Sequence, residues 1–248
     1  MKIVGVVPAR YKSSRFEGKP LALIYGKPMI IHVLEKVEKA LGKENTFVAT
    51  DDKKIANVVS SFGYKTIMTS ETCKTGTDRV WEFAQQVEAD IYINVQGDEP
   101  MVSPCDILKI VREKKKNINS VINGMIPLSK SEKAQNINIP KVLVNKSNEL
   151  IYMSRLAIPG LKNSINIKKP KYMKQVCIYA FTFNELKVFG ENVDKAEFEF
   201  FEDIEILRFL DFNIPIKMVL MDKETIAVDN PEDIRKVENA LKQLNNEC

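Results

Sequence analysis

The chain has 248 residues, and its 37 lysine and arginine side chains against 33 aspartate and glutamate give a formal net charge of +4. This small excess gives no case for nucleic-acid binding, and no apolar stretch approaches the roughly 18 residues that cross a bilayer. The single histidine excludes a His-rich metal site, and the four cysteines lack the spacing of zinc or redox pairs. We therefore expect a cytoplasmic protein that binds neither nucleic acid nor a membrane.

The N-terminal half alternates short β-branched runs with segments of helical spacing. The predicted strands are 2–7, 46–50, 65–68 and 90–95, and the predicted helices are 28–41, the segment after Asp51 or Asp52, and 78–87. This alternation predicts an α/β fold with a doubly wound, mostly parallel sheet that carries helices on both faces.

The second half is less regular. We predict a strand at 117–126, a loop or short helix at 130–140, a hairpin at 142–153 that turns near Ser147 and Asn148, an exposed connection at 159–172, a strand at 176–181, one helix over 197–212, strands at 216–221 and 225–228, and a last helix that starts at Pro231. We expect residues 140–180 to form a smaller lobe of a single domain.

The loop after the first strand concentrates positive charge. It carries Arg10, Lys12, Arg15 and Lys19 against Glu17 alone. Loops at the carboxyl ends of parallel strands bind ligands in this architecture, and several cations suit a polyphosphate. The loop is not a P-loop, because the G-x-x-x-x-G-K-[ST] pattern is absent. The alternative is a solvated surface loop of ordinary lysines.

Six segments carry a specific resemblance. They read PARYKSSRFEGKPL at 8–21, GKPMIIHVLEK at 26–36, VATDD at 48–52, TGTDRVWE at 75–82, INVQGDEPMV at 93–102 and VDNPEDI at 228–234. The set resembles the sugar nucleotidyltransferases, and among these most of all the 3-deoxy-manno-octulosonate (Kdo) cytidylyltransferase family. The resemblance spans nearly the whole chain. It implies transfer of CMP from CTP to the anomeric hydroxyl of an acidic sugar, with release of pyrophosphate, by a homodimer.

The resemblance also implies a nucleotide site. Its residues would be Pro8, Ala9, Arg10, Ser13, Arg15, Lys19, Thr75, Gly76, Arg79 and Gln96, with Arg10, Lys19, Asp98 and Asp229 as catalytic residues. The Gln96 amide offers both a donor and an acceptor to a base edge. An alternative for residues 75–79 is a turn that ends in a helix N-cap at Thr77.

Asp98 and Asp229 are the implied Mg²⁺ ligands. Mg²⁺ takes oxygen ligands and keeps several waters, so one or two carboxylates suffice. Asp98 follows a predicted strand beside Gly97, and a turn former is the alternative for it. Asp229 precedes Asn-Pro-Glu-Asp, where an ordinary helix N-cap is the alternative.

The acceptor side departs from the family pattern. The implied acceptor residues are Arg155, Gln175, Tyr179, Glu202, Glu205 and Ile206. Arg155 would clamp a carboxylate, or form a surface salt bridge. The family has a tryptophan, a histidine and a glutamine where this chain has Gly160, Gln175 and Ile206, which predicts a changed acceptor.

Several alternatives remain on this side. Glu202, Glu205 and Arg208 could form an ion-pair set within one helix. The acceptor could be an amino-octulosonate, another nonulosonic acid, a phosphonate or a phosphate, and the chain could be a non-catalytic nucleotide-binding protein. His32, Trp81 and the cysteines are predicted to be structural or packing residues.

Overall fold

A mixed β-sheet forms the centre of the computed structural model, which describes residues 1–12, 16–162, 170–192 and 194–246. The strands of the described chain are β1 (Ile3–Ala9), β2 (Leu23–Ile24), β3 (Lys27–Pro28), β4 (Thr46–Thr50), β5 (Lys65–Met68), β6 (Ile91–Val95), β7 (Val121–Pro127), β8 (Lys141–Val144), β9 (Leu150–Ser154), β10 (Met173–Phe181) and β11 (Ile216–Leu220). The α-helices are α1 (Met29–Leu41), α2 (Lys53–Ser61), α3 (Gly76–Ala84), α4 (Pro104–Lys116), α5 (Phe183–Glu191), α6 (Glu197–Glu202), α7 (Leu207–Asp211) and α8 (Pro231–Asn246).

The strand order in the main sheet is β11-β7-β10-β6-β1-β4-β5. All of these strands run parallel except β10, which is antiparallel to both of its neighbours. Helices α1, α2 and α4 bury their apolar residues on one face, and α3, α5 and α7 on the other. The predicted doubly wound, mostly parallel α/β architecture is confirmed.

Close packing of α1 on the sheet explains one glycine. A Cβ atom on Gly5 in β1 would lie 2.3 Å from Cγ1 of Val37 on α1. Val37 is fully buried, so it has no room to move away. The glycine therefore allows the first helix to lie directly on the central strand whose end carries the cationic loop.

The predicted hairpin is present as β8 and β9, with Asn148 in a left-handed conformation (φ 58°) at its turn. Two residues of β8 pair with the start of β10 and so attach the hairpin to the main sheet. The rest of β10 lies between β6 and β7. Residues 173–180 of the predicted lobe thus belong to the central sheet, while residues 163–169 of the predicted connection lie outside the described residues.

The structure corrects several predicted elements. The helix expected over 197–212 is divided into α6 and α7, because Asp203 adopts a left-handed conformation (φ 51°). Its carbonyl oxygen and that of Glu202 accept hydrogen bonds from the Arg155 guanidinium, so a tertiary contact overrides the helical spacing. The strand expected at 117–126 begins only at Val121, and 225–228 forms no strand in the part of the chain described here. No described helix is long and apolar enough to cross a bilayer.

Candidate active site

A cavity of about 240 Å³ lies at the carboxyl ends of β1 and β6, against the start of α3. It is lined by Pro8, Ala9, Arg10, Lys19, Pro20, Met29, Cys73, Lys74, Thr75, Gly76, Arg79, Gln96, Gly97, Asp98 and Asp229. The structure thus brings together every described residue of the expected nucleotide and catalytic set. Ser13 and Arg15 lie outside the described residues.

Lys19 connects the two implied catalytic segments. Its Nζ donates to Oδ2 of Asp98 at 2.7 Å and to the carbonyl oxygen of Val228 at 3.0 Å. The Val228 amide in turn donates to the Asp98 carbonyl oxygen at 3.0 Å. Asp229, the next residue, lines the same cavity, so carboxylates from positions 98 and 229 converge there.

The first loop is closed by hydrogen bonds of its own backbone. The amide of Gly18 donates to the carbonyl oxygen of Tyr11 at 2.9 Å, and Gly18 adopts φ 67°. A positive φ is costly for residues with a side chain, so glycine suits this position. The closed loop leads directly into the short 3₁₀ helix Lys19–Leu21, which begins with the cation that faces Asp98.

The start of α3 forms the opposite wall of the cavity. Thr75 is the N-cap, so the alternative interpretation, with an N-cap at Thr77, is wrong in its position. Thr75 and Asp78 form a capping box, in which the Thr75 hydroxyl accepts from the Asp78 amide and the Asp78 carboxylate accepts from the Thr75 amide. Gly76 permits close approach of Gln96, whose Nε2 would lie 2.5 Å from a Cβ at that position.

Arg79 supports this wall from a buried position. Its side chain is 4% exposed and lies 3.3 Å from Oδ1 of Asp51. Its Nη1 also donates to the hydroxyl of Thr69 and to the carbonyl oxygen of Ser70. These contacts fix the guanidinium at the edge of the cavity, where a phosphate or a ribose hydroxyl could reach it.

A buried carboxyl group lies behind the cavity. Glu99 is 4% exposed, and among the described residues its Oε2 has no hydrogen-bond partner. Burial and the neighbouring charge of Asp98 raise the pKa of Glu99 to about 7. The local environment therefore disfavours further negative charge, and a cation near Asp98 would relieve this.

Three of the expected acceptor residues make polar contacts in two separate groups, and Glu205 forms the group at this wall. Glu205 accepts from Nε2 of Gln96 and from the amide of Thr77, both at 3.1 Å. Gln175 donates to Oδ1 of Asn123 at 3.1 Å and to the Tyr179 hydroxyl at 3.3 Å. Burial is the main cause that raises the pKa of Glu205.

The other expected acceptor residues lie elsewhere. The Arg155 side chain donates to the carbonyl oxygens of Ile137, Glu202 and Asp203, and its amide donates to the Glu202 carboxylate at 2.8 Å. Ile206 is 1% exposed within an apolar cluster, so its side chain packs in the core. None of the six expected acceptor residues lines the described cavity.

The structure does not contain the alternative ion-pair set of Glu202, Glu205 and Arg208 within one helix. Arg208 pairs with Glu199 and Asp78, whereas Glu202 and Glu205 contact Arg155, Gln96 and Thr77. Because Asp203 ends α6, the i, i+3, i+6 spacing does not produce a common helix face.

The remaining structural expectations have mixed outcomes. His32 is structural, with Nε2 2.9 Å from the carbonyl oxygen of Ile24. Trp81 packs against Phe183, with ring centroids 5.3 Å apart. Cys105 is exposed, so its assignment as a packing residue is wrong.

Cavity residues that the sequence analysis missed are Pro20, Met29, Cys73, Lys74 and Gly97. Four of these directly adjoin an expected site residue in the chain or lie in the GKPM segment. Pro20, Met29 and Gly97 lie inside the segments that carry the resemblance, and an extension of the segment at 75–82 by two residues would have included Cys73 and Lys74.

The solved structures reveal the class of the protein. The known structure of CMP:2-keto-3-deoxy-manno-octonic acid synthetase complexed with CTP has a TM-score of 0.90 and 38% identity, and the match covers 98% of this chain and 99% of that chain. The inositol-1-phosphate CTP transferase from T. maritima shares the fold alone, with a TM-score of 0.70 and 16% identity. The fold and the cavity together define an α/β nucleotidyltransferase.

The family follows from the sequence comparisons. A 3-deoxy-manno-octulosonate cytidylyltransferase from Phocaeicola vulgatus is 36% identical and covers 100% of both chains. The enzyme of the same name from Escherichia coli is 37% identical over 98% of this chain and 97% of its own. The family model for cytidylyltransferases matches residues 4–225, and the chain belongs to that family.

Proposed function

We propose that this protein transfers CMP from CTP to the anomeric hydroxyl of 3-deoxy-manno-octulosonate and releases pyrophosphate. The observation that carries the proposal is the single cavity that collects the expected residues from five separate segments of the chain. Similarity to enzymes of that activity over the full chain length supports it.

The cations of the first loop would bind the triphosphate. Arg10 is exposed at the cavity, and the Lys19 Nζ can exchange its present contact with Asp98 for a phosphate oxygen. Arg15 is assigned to the same task by the resemblance. These cations neutralise the phosphate oxygens and hold the α-phosphorus for in-line attack, which positioning and charge neutralisation accelerate without a protein nucleophile.

The α3 wall would bind the nucleoside. Thr75, Gly76 and Gln96 face the cavity together, and the buried Arg79 lies beside them. Because Gly76 has no side chain, the Gln96 amide packs closely against the start of α3, and a base would lie against these two residues. Amide groups of the wall then read the donors and acceptors at the cytosine edge.

Asp98 and Asp229 are the residues that would hold Mg²⁺. The described residues contain no group of three or more His, Cys, Asp or Glu that could hold a metal by themselves. Two converging carboxylates fit Mg²⁺, because the ion is commonly held by one or two carboxylates together with substrate phosphates. The buried Glu99 beside them, whose Oε2 has no hydrogen-bond partner among the described residues, also favours a positive charge there. The bound ion would supply charge neutralisation and a lower pKa for the attacking hydroxyl.

The sugar would lie beside the nucleotide cavity, with Glu205 on one side and the hydrogen-bonded pair Gln175 and Tyr179 on the other. In this arrangement Glu205 contacts Gln96 on the nucleotide side, so the two subsites share a wall. Gln175 uses its Nε2 for Asn123 and Tyr179, and its Oε1 is the atom that can accept from a sugar hydroxyl. Arg155 and Glu202 would contribute to the outer side of the same subsite.

Homodimerisation is part of the proposal. An apolar patch of Ile137, Leu156, Phe200 and Phe201 is 60–75% exposed, and Arg155 joins its segments by hydrogen bonds to the carbonyl oxygens of Ile137 and Glu202. Exposed patches of this kind mark interfaces, and a second copy would cover the patch while it closes the acceptor side.

The dimer is tested by light scattering after size exclusion. We expect a dimer for the unchanged protein and a monomer for Phe201→Ser, whereas Phe62→Ser, at an exposed aromatic residue that ends α2 and lies outside the patch, stays dimeric. A monomeric parent protein would refute this part of the proposal.

The activity is tested by pyrophosphate release from CTP with Mg²⁺ and a panel of sugar acids. We expect the highest kcat/KM with 3-deoxy-manno-octulosonate. Preference for an amino-substituted octulosonate or a nonulosonic acid would show that Gln175 and Ile206 mark a changed acceptor. No turnover with any acceptor would refute the enzyme assignment, and equal turnover with ATP or UTP would refute the specificity for cytidine.

A further inference from the structure

Arg208 is a fully buried cation that joins three segments of the chain. Its Nε and Nη2 donate to the two carboxylate oxygens of Glu199, at 2.6 and 2.9 Å. Its Nη1 donates to the carbonyl oxygens of Phe189 and Asn192, and the guanidinium carbon lies 3.7 Å from the centre of the Phe189 ring. A buried guanidinium is tolerated only with such complete pairing.

One further bond connects this buried cation to the cavity. Nη1 of Arg208 lies 3.2 Å from Oδ1 of Asp78. The other oxygen of that carboxylate, Oδ2, accepts from the amide of Thr75 at 2.8 Å and from its hydroxyl at 2.9 Å. The carboxylate of Asp78 is therefore shared between Arg208 in the core and the residue that begins the cavity wall.

We infer that Arg208 is a positioning residue that fixes the Thr75–Gly76 wall through Asp78 and thereby strengthens binding of the nucleoside triphosphate. The inference rests on the proposed nucleotide site. Without the bond to Arg208, only the two Thr75 donors orient the Asp78 carboxylate, and the start of α3 loses its connection to the core. A shift of this wall matters at Gly76, because the Gln96 amide already occupies the space that a Cβ there would need.

The chain contains a matched control for this arrangement. Lys114 is also fully buried and donates to both oxygens of Glu185, at 2.7 and 2.6 Å. Glu185 closes a capping box with Thr182 at the start of α5, as Asp78 does with Thr75 at the start of α3. Neither member of this second pair lines the cavity. Loss of Lys114 therefore shows what happens when a buried ion pair at a capping box is broken at a place distant from the cavity.

The experiment compares Arg208→Met, Arg208→Lys and Lys114→Met. CTP binding is followed by the fluorescence of Trp81, the single tryptophan, which lies on α3. Pyrophosphate release gives kcat and KM, and hydrogen exchange of the ligand-free protein reports on residues 75–79. We expect Arg208→Met to raise the Kd and KM for CTP about tenfold and to change kcat less than about threefold. We also expect it to speed exchange at residues 75–79.

The control variants separate an effect on the cavity wall from a general loss of stability. Lys114→Met should lower the melting temperature but leave the KM for CTP and the exchange at residues 75–79 unchanged. Arg208→Lys keeps the charge and should recover part of the affinity, since one ammonium group cannot pair with Glu199 as a fork and also reach Asp78. If Arg208→Met fails to fold, Arg208→Lys, which also loses the bond to Asp78, carries the test.

Two outcomes would overturn the inference. One is a set of Arg208 variants that changes only the melting temperature, as Lys114→Met does. The other is unchanged exchange at residues 75–79 in every folded variant. If the unchanged protein releases no pyrophosphate from CTP, the proposed function fails, yet the exchange measurement on the ligand-free protein still decides whether Arg208 fixes the wall.

Discussion

The nucleotide side and the acceptor side of this molecule are built in different ways. On the nucleotide side, short contiguous motifs follow strand ends, and all of their described residues line one cavity. On the acceptor side, the expected residues come from the end of β9, from β10 and from the α6–α7 segment. They are divided among two groups of polar contacts, an arginine bound to backbone carbonyl oxygens, and the apolar core. The comparison teaches that residues at strand ends are positioned by topology alone, whereas residues on short helices depend on packing.

The largest effect is expected on the nucleotide side, from Asp98→Asn. The change removes the charge that would hold Mg²⁺, so we expect kcat for pyrophosphate release to fall on the order of 1000-fold. Asp222→Asn, at a carboxylate with 65% side-chain exposure that pairs with Lys109, should have no effect. If Asp98→Asn kept full activity, the proposed metal site would be wrong.

Lys19→Met should have the next largest effect. Loss of a charged hydrogen bond to the triphosphate is expected to lower kcat/KM for CTP about 10- to 100-fold. Lys12 lies in the same loop, but its side chain is 87% exposed and its nearest carboxylate is 3.8 Å away. Steady-state kinetics of Lys12→Met should therefore stay within about twofold of the unchanged protein. Equal losses in both variants would mean that general charge, and not the position of Lys19, binds the triphosphate.

A smaller effect, confined to binding of the sugar acid, is expected for a substitution on the acceptor side. Gln175→Ala removes neutral hydrogen bonds, so we expect the KM for the sugar acid to rise about 3- to 10-fold while the KM for CTP is unchanged. Gln86→Ala is the matched control, because its amide bonds only the carbonyl oxygens of Met68 and Glu82. A rise in the KM for CTP in Gln175→Ala would contradict the separation of the two sides.

The smallest effect is expected from a thiol reagent. Burial and a hydrogen bond to Glu82 raise the pKa of Cys73 to about 12. At pH 8 only about one Cys73 side chain in 10⁴ is then a thiolate, and the fraction grows tenfold with each further pH unit. Mass spectrometry after iodoacetamide treatment at pH 8 should show Cys105 modified and Cys73 intact, with activity retained. Rapid labelling of Cys73 would mean that the wall of the cavity opens more than the structure indicates.

Much of the nucleotide side was predictable from the sequence. The strands at 46–50 and 65–68 have the predicted bounds, and the alternation of strands and helices predicted that β1, β4, β5 and β6 run parallel, although not their order in the sheet. Once the strand ends are known, parallel pairing places Arg10 and Asp98 at one edge of the sheet, because β1 and β6 are neighbours that end together.

Only the tertiary structure decided the acceptor side. The insertion of β10 as an antiparallel strand between β6 and β7 brings Gln175 and Tyr179 beside Asn123. The left-handed Asp203 depends on Arg155, and the periodicity of 197–212 contains no sign of it.

Arg208 is the clearest example of a contact that the sequence does not reveal, because its partner Asp78 is 130 residues away along the chain. The +4 charge, the cationic first loop and the motifs at strand ends are local properties, so the amino-acid sequence determines them directly. The orientation of the cavity wall depends on contacts between distant segments, and local propensity carries no information about such contacts. That is why the sequence by itself predicts the proposed nucleotide site, while the contacts that connect its wall to the core appear only in the tertiary structure.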